Sequence, residues 1–96
     1  MSVKVAIRRI IPKGKEDELL PLLIQMRVLA TNQPGYISGE TLRNVEREEE
    51  RIVISTWQSK DEWDTWFLNK QRIELQKKID SLLDKKTRYS IYYYGY

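Results

Sequence analysis

Two residue types that carry much of protein chemistry are missing from this chain of 96 residues, which contains no cysteine and no histidine. Without cysteine there is no disulfide framework, no thiolate nucleophile and no iron–sulfur or thiolate–haem ligation. Without histidine, the chain lacks the side chain best suited to proton transfer near neutrality and the commonest metal ligand. A zinc site and a Ser-His-Asp triad are therefore excluded, and we predict no metal and no cofactor.

Long apolar runs and strongly basic stretches are missing as well. The start MSVKVAIRRI has no apolar core of a signal peptide, and no window of the chain approaches about 18 apolar residues. We therefore expect a cytoplasmic protein with no membrane partner. The 17 basic residues are interleaved with 14 acidic ones, giving a net charge of +3. No stretch is basic enough to follow a phosphate backbone, so we expect no nucleic-acid partner.

The length and composition fit one globular domain over residues 1–96. Hydrophobic residues make up 41% and charged residues 32%, which is too apolar for a disordered chain. A chain this short buries only about 60–65% of its unfolded surface, so its stability is expected to depend partly on a partner.

Hydrophobic periodicity predicts the element order β-α-β-β-α-β. Strands are predicted at residues 3–11, 36–44, 51–57 and 85–96, from β-branched or aromatic residues in partial alternation. The first helix is predicted over residues 15–32. Ser59 and Glu62 fit a capping box at the start of the second helical segment, which carries Trp63 and Trp66 and breaks near Asn69. The order is that of a ferredoxin-like α+β domain, an antiparallel four-stranded sheet with helices on one face.

The first helix carries two apolar stripes and a proline. One stripe is Leu19, Leu22, Leu23, Met26 and Ala30. Beside it lies the second stripe, which is Leu20, Ile24 and Val28. Together they predict a wide buried face. Pro21 lies beyond the first turn, so we expect a kink there or a helix that begins nearer Leu20.

The last two strands are apolar or aromatic on both faces. Strand three has Ile52, Val53 and Ile54 in succession. Strand four places Tyr89, Ile91 and Tyr93 on one face and Tyr92, Tyr94 and Tyr96 on the other. Helices cover only one face of such a sheet, so something else must cover the second. A second copy, packed sheet on sheet in a homodimer, is the simplest cover.

The stretches QPGYISGETLRN and VISTWQSKDEWDTW, in a chain with this element order, resemble the antibiotic biosynthesis monooxygenase family of dimeric α+β barrels. The likeness covers nearly the whole chain. The family includes haem-degrading enzymes, in which the position of Trp66 lies against the haem. That branch has a haem-ligating histidine where this chain has Gln76, and an asparagine where this chain has Ile7. The resemblance therefore disfavours haem degradation.

The family also includes quinone-forming oxygenases, which use neither metal nor flavin. In that branch the substrate phenol is deprotonated and the resulting carbanion gives an electron to O₂. By resemblance, Trp57 matches a pocket tryptophan, Trp63 a pocket tyrosine, Val53 an asparagine and Lys77, roughly, an arginine. The aromatic character is kept and the hydrogen-bonding groups are mostly lost.

Each candidate residue also has a purely structural interpretation. Trp63 and Trp66 at helical spacing are typical of a core, and Trp57 is typical of a core or an interface. Arg43 and Asn44 either polarise a substrate carbonyl or lie at a solvated strand end. The EREEE stretch, residues 46–50, is typical of a charged hairpin rather than a metal site.

Two functions of different classes are therefore predicted. One is a cofactor-independent monooxygenase acting on a small aromatic or quinone-type substrate, bound between the sheet and the second helix. The other is a non-catalytic ligand-binding or dimeric scaffold protein. The candidate pocket residues are Trp66, Trp57, Trp63, Ile7, Gln76, Arg43 and Asn44.

Overall fold

Four strands and three helices follow one another in the predicted order in a computed structural model that describes residues 1–95. The elements are β1 (Val3–Ile10), α1 (Glu16–Thr31), β2 (Tyr36–Arg43), β3 (Glu50–Trp57), α2 (Lys60–Phe67), α3 (Lys70–Leu82) and β4 (Arg88–Tyr93). The predicted position of Tyr96 on the second face of the last strand lies outside the described residues.

The strands form one antiparallel sheet in the order β2-β3-β1-β4. The central strand β1 pairs with β3 from Val3↔Trp57 to Ile10↔Glu50, and with β4 on its other side. Val3, Val5 and Trp57, on one face of this sheet, pack against residues of α1 and α2. This is the ferredoxin-like α+β fold, so the predicted fold class is confirmed. The dimeric barrel stays a prediction.

The predicted cap at Ser59 and the predicted break near Asn69 are confirmed, but the capping box is only half formed, because Glu62 Oε1 accepts from the Ser59 hydroxyl instead of the Ser59 backbone N–H. Ser59 Oγ accepts a hydrogen bond from the backbone N–H of Glu62 at 3.2 Å, at the start of α2. Asn69 Oδ1 accepts from the backbone N–H of Arg72 at 3.1 Å and starts α3. The two caps divide the segment where the sequence predicts a break, and they fix the direction in which α2 leaves β3.

Helix α1 has nearly the predicted extent, Glu16–Thr31, and the kink at Pro21 stays a prediction. It begins at Glu16 and continues through Pro21, so the alternative beginning near Leu20 is wrong. Pro21 has no N–H to offer the carbonyl of Asp17, but both residues are exposed, so water can bind that carbonyl.

The prediction that α1 buries a wide face is wrong for the single chain. Leu19 is buried, whereas Leu20, Ile24 and Val28 are 57%, 56% and 54% exposed. The helix packs on the sheet and on α3 through the stripe that contains Leu19 and Met26. Periodicity places the second stripe beside the first, but only the first has a neighbouring element to cover it.

The sheet face opposite the helices carries apolar and aromatic side chains, as predicted. Ile52 and Ile54 are partly buried there, while Leu42 and Tyr92 are 48% and 55% exposed. Arg8 on the same face pairs with Glu50, its Nε lying 2.5 Å from the carboxylate. A partly apolar face of this kind is consistent with a covering partner.

Candidate functional site

A cavity of about 370 Å³ lies between α1 and the helix-facing side of the sheet. From α1 it is lined by Leu20, Leu23, Ile24, Met26, Arg27 and Ala30. From β1, β2 and β3 it is lined by Ile7, Arg9, Thr41, Arg51, Val53 and Ser55. Its aromatic end is formed by Tyr36, Trp57, Trp63 and Trp66. Such a volume and a largely apolar lining are typical of small-molecule sites.

All three tryptophans of the chain meet at the aromatic end of this cavity. The rings of Trp57 and Trp66 stack with centroids 6.5 Å apart and an interplanar angle of 22°. Trp63 meets Trp57 edge-on at 5.7 Å, and Tyr36 does so at 5.4 Å. The tryptophans are at most 4% exposed, so they belong to the core and line the cavity at once.

This cluster follows from local structure. Trp57 is the last residue of β3, and the Ser59 cap turns the chain into α2 directly afterwards. Trp63 and Trp66 are three residues apart, so they share the face of α2 that lies over Trp57. The indole N–H of Trp57 donates to Ser55 Oγ at 3.1 Å, and a hydroxyl that accepts one hydrogen bond can still donate its own proton.

Three arginines form a row across the sheet toward the other end of the cavity. Arg9 of β1 is paired directly with Arg51 of β3, and Arg51 with Arg43 of β2. Paired residues point to the same side of a sheet. Here it is the helix-facing side, because Arg9 and Arg51 line the cavity. Like charges in directly opposed positions cost about 0.2–1 kcal/mol, so this row is unfavourable by itself.

Arg9 is buried without a complete set of partners. The residue is 6% exposed. Its Nη2 donates a long hydrogen bond of 3.4 Å to Gln76 Oε1. Its Nε is buried and has no partner among residues 1–95. Burial lowers the pKa of the Arg9 guanidinium from its ordinary value, against an opposing effect of Tyr89 and Asp80. A buried N–H without an acceptor costs about 1–3 kcal/mol.

The other cationic groups at the cavity are bonded to uncharged acceptors. Arg27 crosses from α1 to β2, donating to the Gly39 carbonyl at 3.3 Å and to Thr41 Oγ1 at 2.9 Å. Arg51 donates through Nη1 to two backbone carbonyls, that of Glu48 in the preceding turn and that of Glu50 at the start of β3. Within residues 1–95, no Asp or Glu lines the cavity, and none of its arginines forms an ion pair. The sheet end of the cavity is therefore electropositive.

The structure brings four of the seven candidate pocket residues together. Ile7, Trp57, Trp63 and Trp66 all line the cavity. Gln76 is buried behind Arg9, where its Nε2 donates to Asp80 Oδ1 at 2.8 Å and to Thr87 Oγ1 at 3.1 Å. It can position Arg9 without lining the cavity itself.

The remaining candidates lie elsewhere. Arg43 is exposed and lines a neighbouring depression together with Glu16 and Asp17 of α1. Asn44 organises the turn between β2 and β3, since its side chain donates to Glu50 Oε1 at 2.7 Å and accepts from the Glu46 N–H. Among residues 1–95, no group of three or more Asp, Glu, His or Cys is arranged to hold a metal ion.

Lys77 and Val53 complete the positions compared with the quinone-forming branch. Lys77 is exposed on α3 and lies 3.7 Å from Glu74, so it does not reach the cavity. Val53 does line it. The cationic groups at the cavity are instead Arg9, Arg27 and Arg51, which sequence reasoning missed. A signal was present for Arg9, because it continues the alternation of Val3, Val5 and Ile7 on the buried face of β1.

The fold and the cavity define a ferredoxin-like α+β protein with a largely apolar cavity between α1 and the sheet. Solved structures share this fold. A conserved protein from Methanosarcina mazei Go1 has 18% identity and a TM-score of 0.88, over 96% of this chain and 91% of that chain. SnoaB from Streptomyces nogalater, a cofactor-independent oxygenase, has 14% identity and a TM-score of 0.86, over 99% and 94%. Rv0793 from Mycobacterium tuberculosis has 15% identity and a TM-score of 0.87, over 99% and 96%.

At these identities the structures establish the fold, and the sequence establishes the family. The model of the family described as antibiotic biosynthesis monooxygenase matches residues 2–78, and the chain belongs to that family. The predicted resemblance is therefore confirmed. No curated protein matches the chain. Over residues 1–95, none of the helices combines the length and the apolar character needed to cross a membrane.

Proposed function

We propose that this protein is a cofactor-independent monooxygenase that acts on a small aromatic or quinone-type substrate. The observation that carries the proposal is the cavity whose aromatic end contains all three tryptophans of the chain. The description of SnoaB, a cofactor-independent oxygenase of the same fold, supports the same reaction class. The substrate lies between the sheet and the helices, with its ring system against Trp57 and Trp66.

The proposed reaction requires the enzyme to stabilise a substrate anion. An anthrone-type substrate loses a proton from carbon to solvent water, and the carbanion transfers an electron to O₂. Recombination gives a peroxide, which loses water and leaves the quinone carbonyl. The guanidinium group of Arg27, which also lines the cavity, favours the deprotonated substrate, because a nearby positive charge lowers the pKa of an acid. The Ser55 hydroxyl can donate to the enolate oxygen.

The test is oxygen consumption and quinone formation with anthrone and hydroquinone substrates. We expect turnover by the wild-type protein. Trp66→Ala should lower kcat/KM at least about tenfold, because it removes one wall of the ring site. Leu68→Ala is the matched control, since Leu68 lies two residues further on and is 70% exposed. A folded wild-type protein that oxidises none of these substrates would contradict the proposal.

One observation favours a second function, a ligand-binding protein without catalysis. No carboxylate of residues 1–95 lines the cavity to accept a proton from the substrate. Tight binding of anthrones and anthraquinones without oxygen consumption would establish this alternative. Under either function, the predicted cytoplasmic location stays a prediction.

We propose further that the protein is a homodimer in which the sheets pack face to face. The half-exposed Leu42 and Tyr92 on the sheet face opposite the helices support this arrangement. Sedimentation at micromolar concentration should give the mass of a dimer. Leu42→Lys places a charge on that face and should shift the equilibrium toward monomer, whereas a wild-type protein that stays monomeric would contradict the dimer.

A further inference from the structure

We infer that the cavity binds an aromatic acid, whose ring system lies against the tryptophans and whose carboxylate is held by Arg9 and Arg51. The inference rests on the proposed function in taking the same cavity as the substrate site. It goes further because it assigns a charge to the ligand and a role to two residues that neither the family nor the fold assigns.

The first observation is the incomplete bonding of Arg9. A guanidinium has five N–H donors, and residues 1–95 provide Arg9 with one long hydrogen bond, from Nη2 to Gln76. Its Nε is buried with no partner, although the residue is only 6% exposed and lines the cavity. Burying a charge in this way is unfavourable unless a counter-charge completes the site. A carboxylate is the natural partner, because it accepts two parallel hydrogen bonds from one guanidinium.

The second observation is the fixed position of Arg9. Gln76 holds it from behind and is itself buried, and its amide is bonded to Asp80 and Thr87. The guanidinium is therefore oriented before any ligand arrives. Pre-oriented groups bind more tightly because less conformational freedom is lost on binding.

The third observation is the charge at this end of the cavity. Arg9 and Arg51 are directly opposed across two strands, and the partners of Arg51 are backbone carbonyls, which do not neutralise it. An anion at this end of the cavity supplies the negative charge that the residues lining the cavity do not provide. Arg43 and Arg51 both border a depression that also contains Glu16 and Asp17, whereas Arg9 does not. Arg9 is therefore the guanidinium that most needs a ligand carboxylate, and Arg51 lies beside it at the cavity.

The distance between the two ends of the cavity indicates the size of the ligand. Trp57 and Arg51 are six residues apart on β3, which corresponds to about 20 Å along an extended strand. The arginine side chains and the tryptophan rings occupy part of that span. What remains suits a molecule of two or three fused rings that carries its carboxylate at one end.

The test compares anthraquinone-2-carboxylate with its neutral carboxamide by isothermal titration calorimetry at pH 7.5. We expect the wild-type protein to bind the carboxylate at least about tenfold more tightly, which corresponds to about 1.4 kcal/mol. Arg9→Gln should remove this preference and leave the affinity for the carboxamide within twofold. Arg51→Gln should weaken the preference as well, and it serves as the test if Arg9→Gln does not fold.

Arg88→Gln is the matched control, because it removes the same charge from an exposed position of β4, opposite Arg8 on the other face of the sheet. It should keep the preference for the carboxylate. Equal affinity of the wild-type protein for both ligands would overturn the inference and leave the proposed oxygenase intact. A preference that survives both Arg9→Gln and Arg51→Gln would also overturn it. If neither ligand binds, the cavity does not accept aromatic ligands, and the inference and the proposed function both fail.

Discussion

Arg9 and Arg51 face each other directly across β1 and β3, on the side of the sheet that the helices cover. Much of the rest of this face is apolar and packs against the helices, and its residues Val3 and Val5 are fully buried. Two opposed cations on such a face are unfavourable for packing. Proteins keep such conflicts mainly at functional sites. The pair therefore lowers the stability of the sheet and at the same time gives the cavity its positive charge.

Replacing Arg9 with methionine should stabilise the protein. Methionine can fill much of the space of the arginine stem without a buried charge, and buried ionic groups replaced by apolar ones often gain about 1–4 kcal/mol. The lower part of that range is expected, about 1 kcal/mol, because Gln76 loses one hydrogen bond. For a domain of this size, this raises Tm by about 4–8 °C.

Thermal unfolding without ligand measures this effect. Arg88→Met is the control for a change of charge at an exposed position, and it should leave Tm nearly unchanged. A loss of stability in Arg9→Met would mean that Arg9 stabilises the fold. The buried charge would then carry no cost in the free energy of unfolding.

Ser59→Ala should destabilise the protein by about 1 kcal/mol, because the first turn of α2 loses its cap. The Ser59 hydroxyl accepts from the Glu62 N–H at 3.2 Å, and the turn it stabilises carries Trp63 over Trp57. Urea unfolding followed by tryptophan fluorescence measures the loss. Ser59→Thr keeps a hydroxyl that accepts from the Glu62 N–H and donates to the Glu62 carboxylate, and it should retain most of the stability. Equal losses in the two variants would show that the cap contributes nothing.

The sequence predicted those features that depend on neighbouring residues. Element order, the Ser59 cap and the break at Asn69 depend on propensity and side-chain spacing within a few positions, and the structure has all of them. The exposure of Leu20, Ile24 and Val28 was not predicted, because the period of a helix shows which residues share a face but not what covers that face.

The candidate site divides in the same way. The tryptophans were predictable as a group because they lie within ten residues of one another, from Trp57 to Trp66. The pairing of Arg9 with Arg51 depends on the register between β1 and β3. These strands are distant in the sequence, since the neighbouring partners Arg8 and Glu50 are 42 residues apart. Single-sequence patterns do not determine that register. Gln76 was singled out by resemblance, but only the folded chain places it behind Arg9.

Gly35→Ala should destabilise the protein more than Gly14→Ala does, by about 1–3 kcal/mol. Both glycines have a positive φ, 86° for Gly35 and 85° for Gly14, so the backbone strain of an alanine is alike at the two positions. A Cβ on Gly35 would meet the side chain of Glu62 in the first turn of α2, including its Cβ at 2.7 Å, whereas a Cβ on Gly14 meets nothing within 4 Å. Urea unfolding of the two variants separates the clash from the strain. Equal losses would mean that Glu62 moves aside without cost.

The ion pair on the other face of the sheet should make stability depend on pH. Glu50 accepts hydrogen bonds from Arg8 and Asn44, and these hold its pKa below the ordinary value of 4.5. A carboxylate whose pKa is lowered by folding contributes stability above its unfolded-state pKa and loses it as the pH falls through the folded-state pKa. The contribution is therefore fully present at pH 7 and declines below about pH 4.5. Urea unfolding at pH 7, 5, 4 and 3 should show that Glu50→Gln loses stability at pH 7 and has a shallower decline below pH 4.5 than the wild type. Glu40→Gln, at an exposed position of β2, is the control and should follow the wild-type curve. A Glu50→Gln curve parallel to that of the wild type would contradict the assignment of this pH dependence to Glu50.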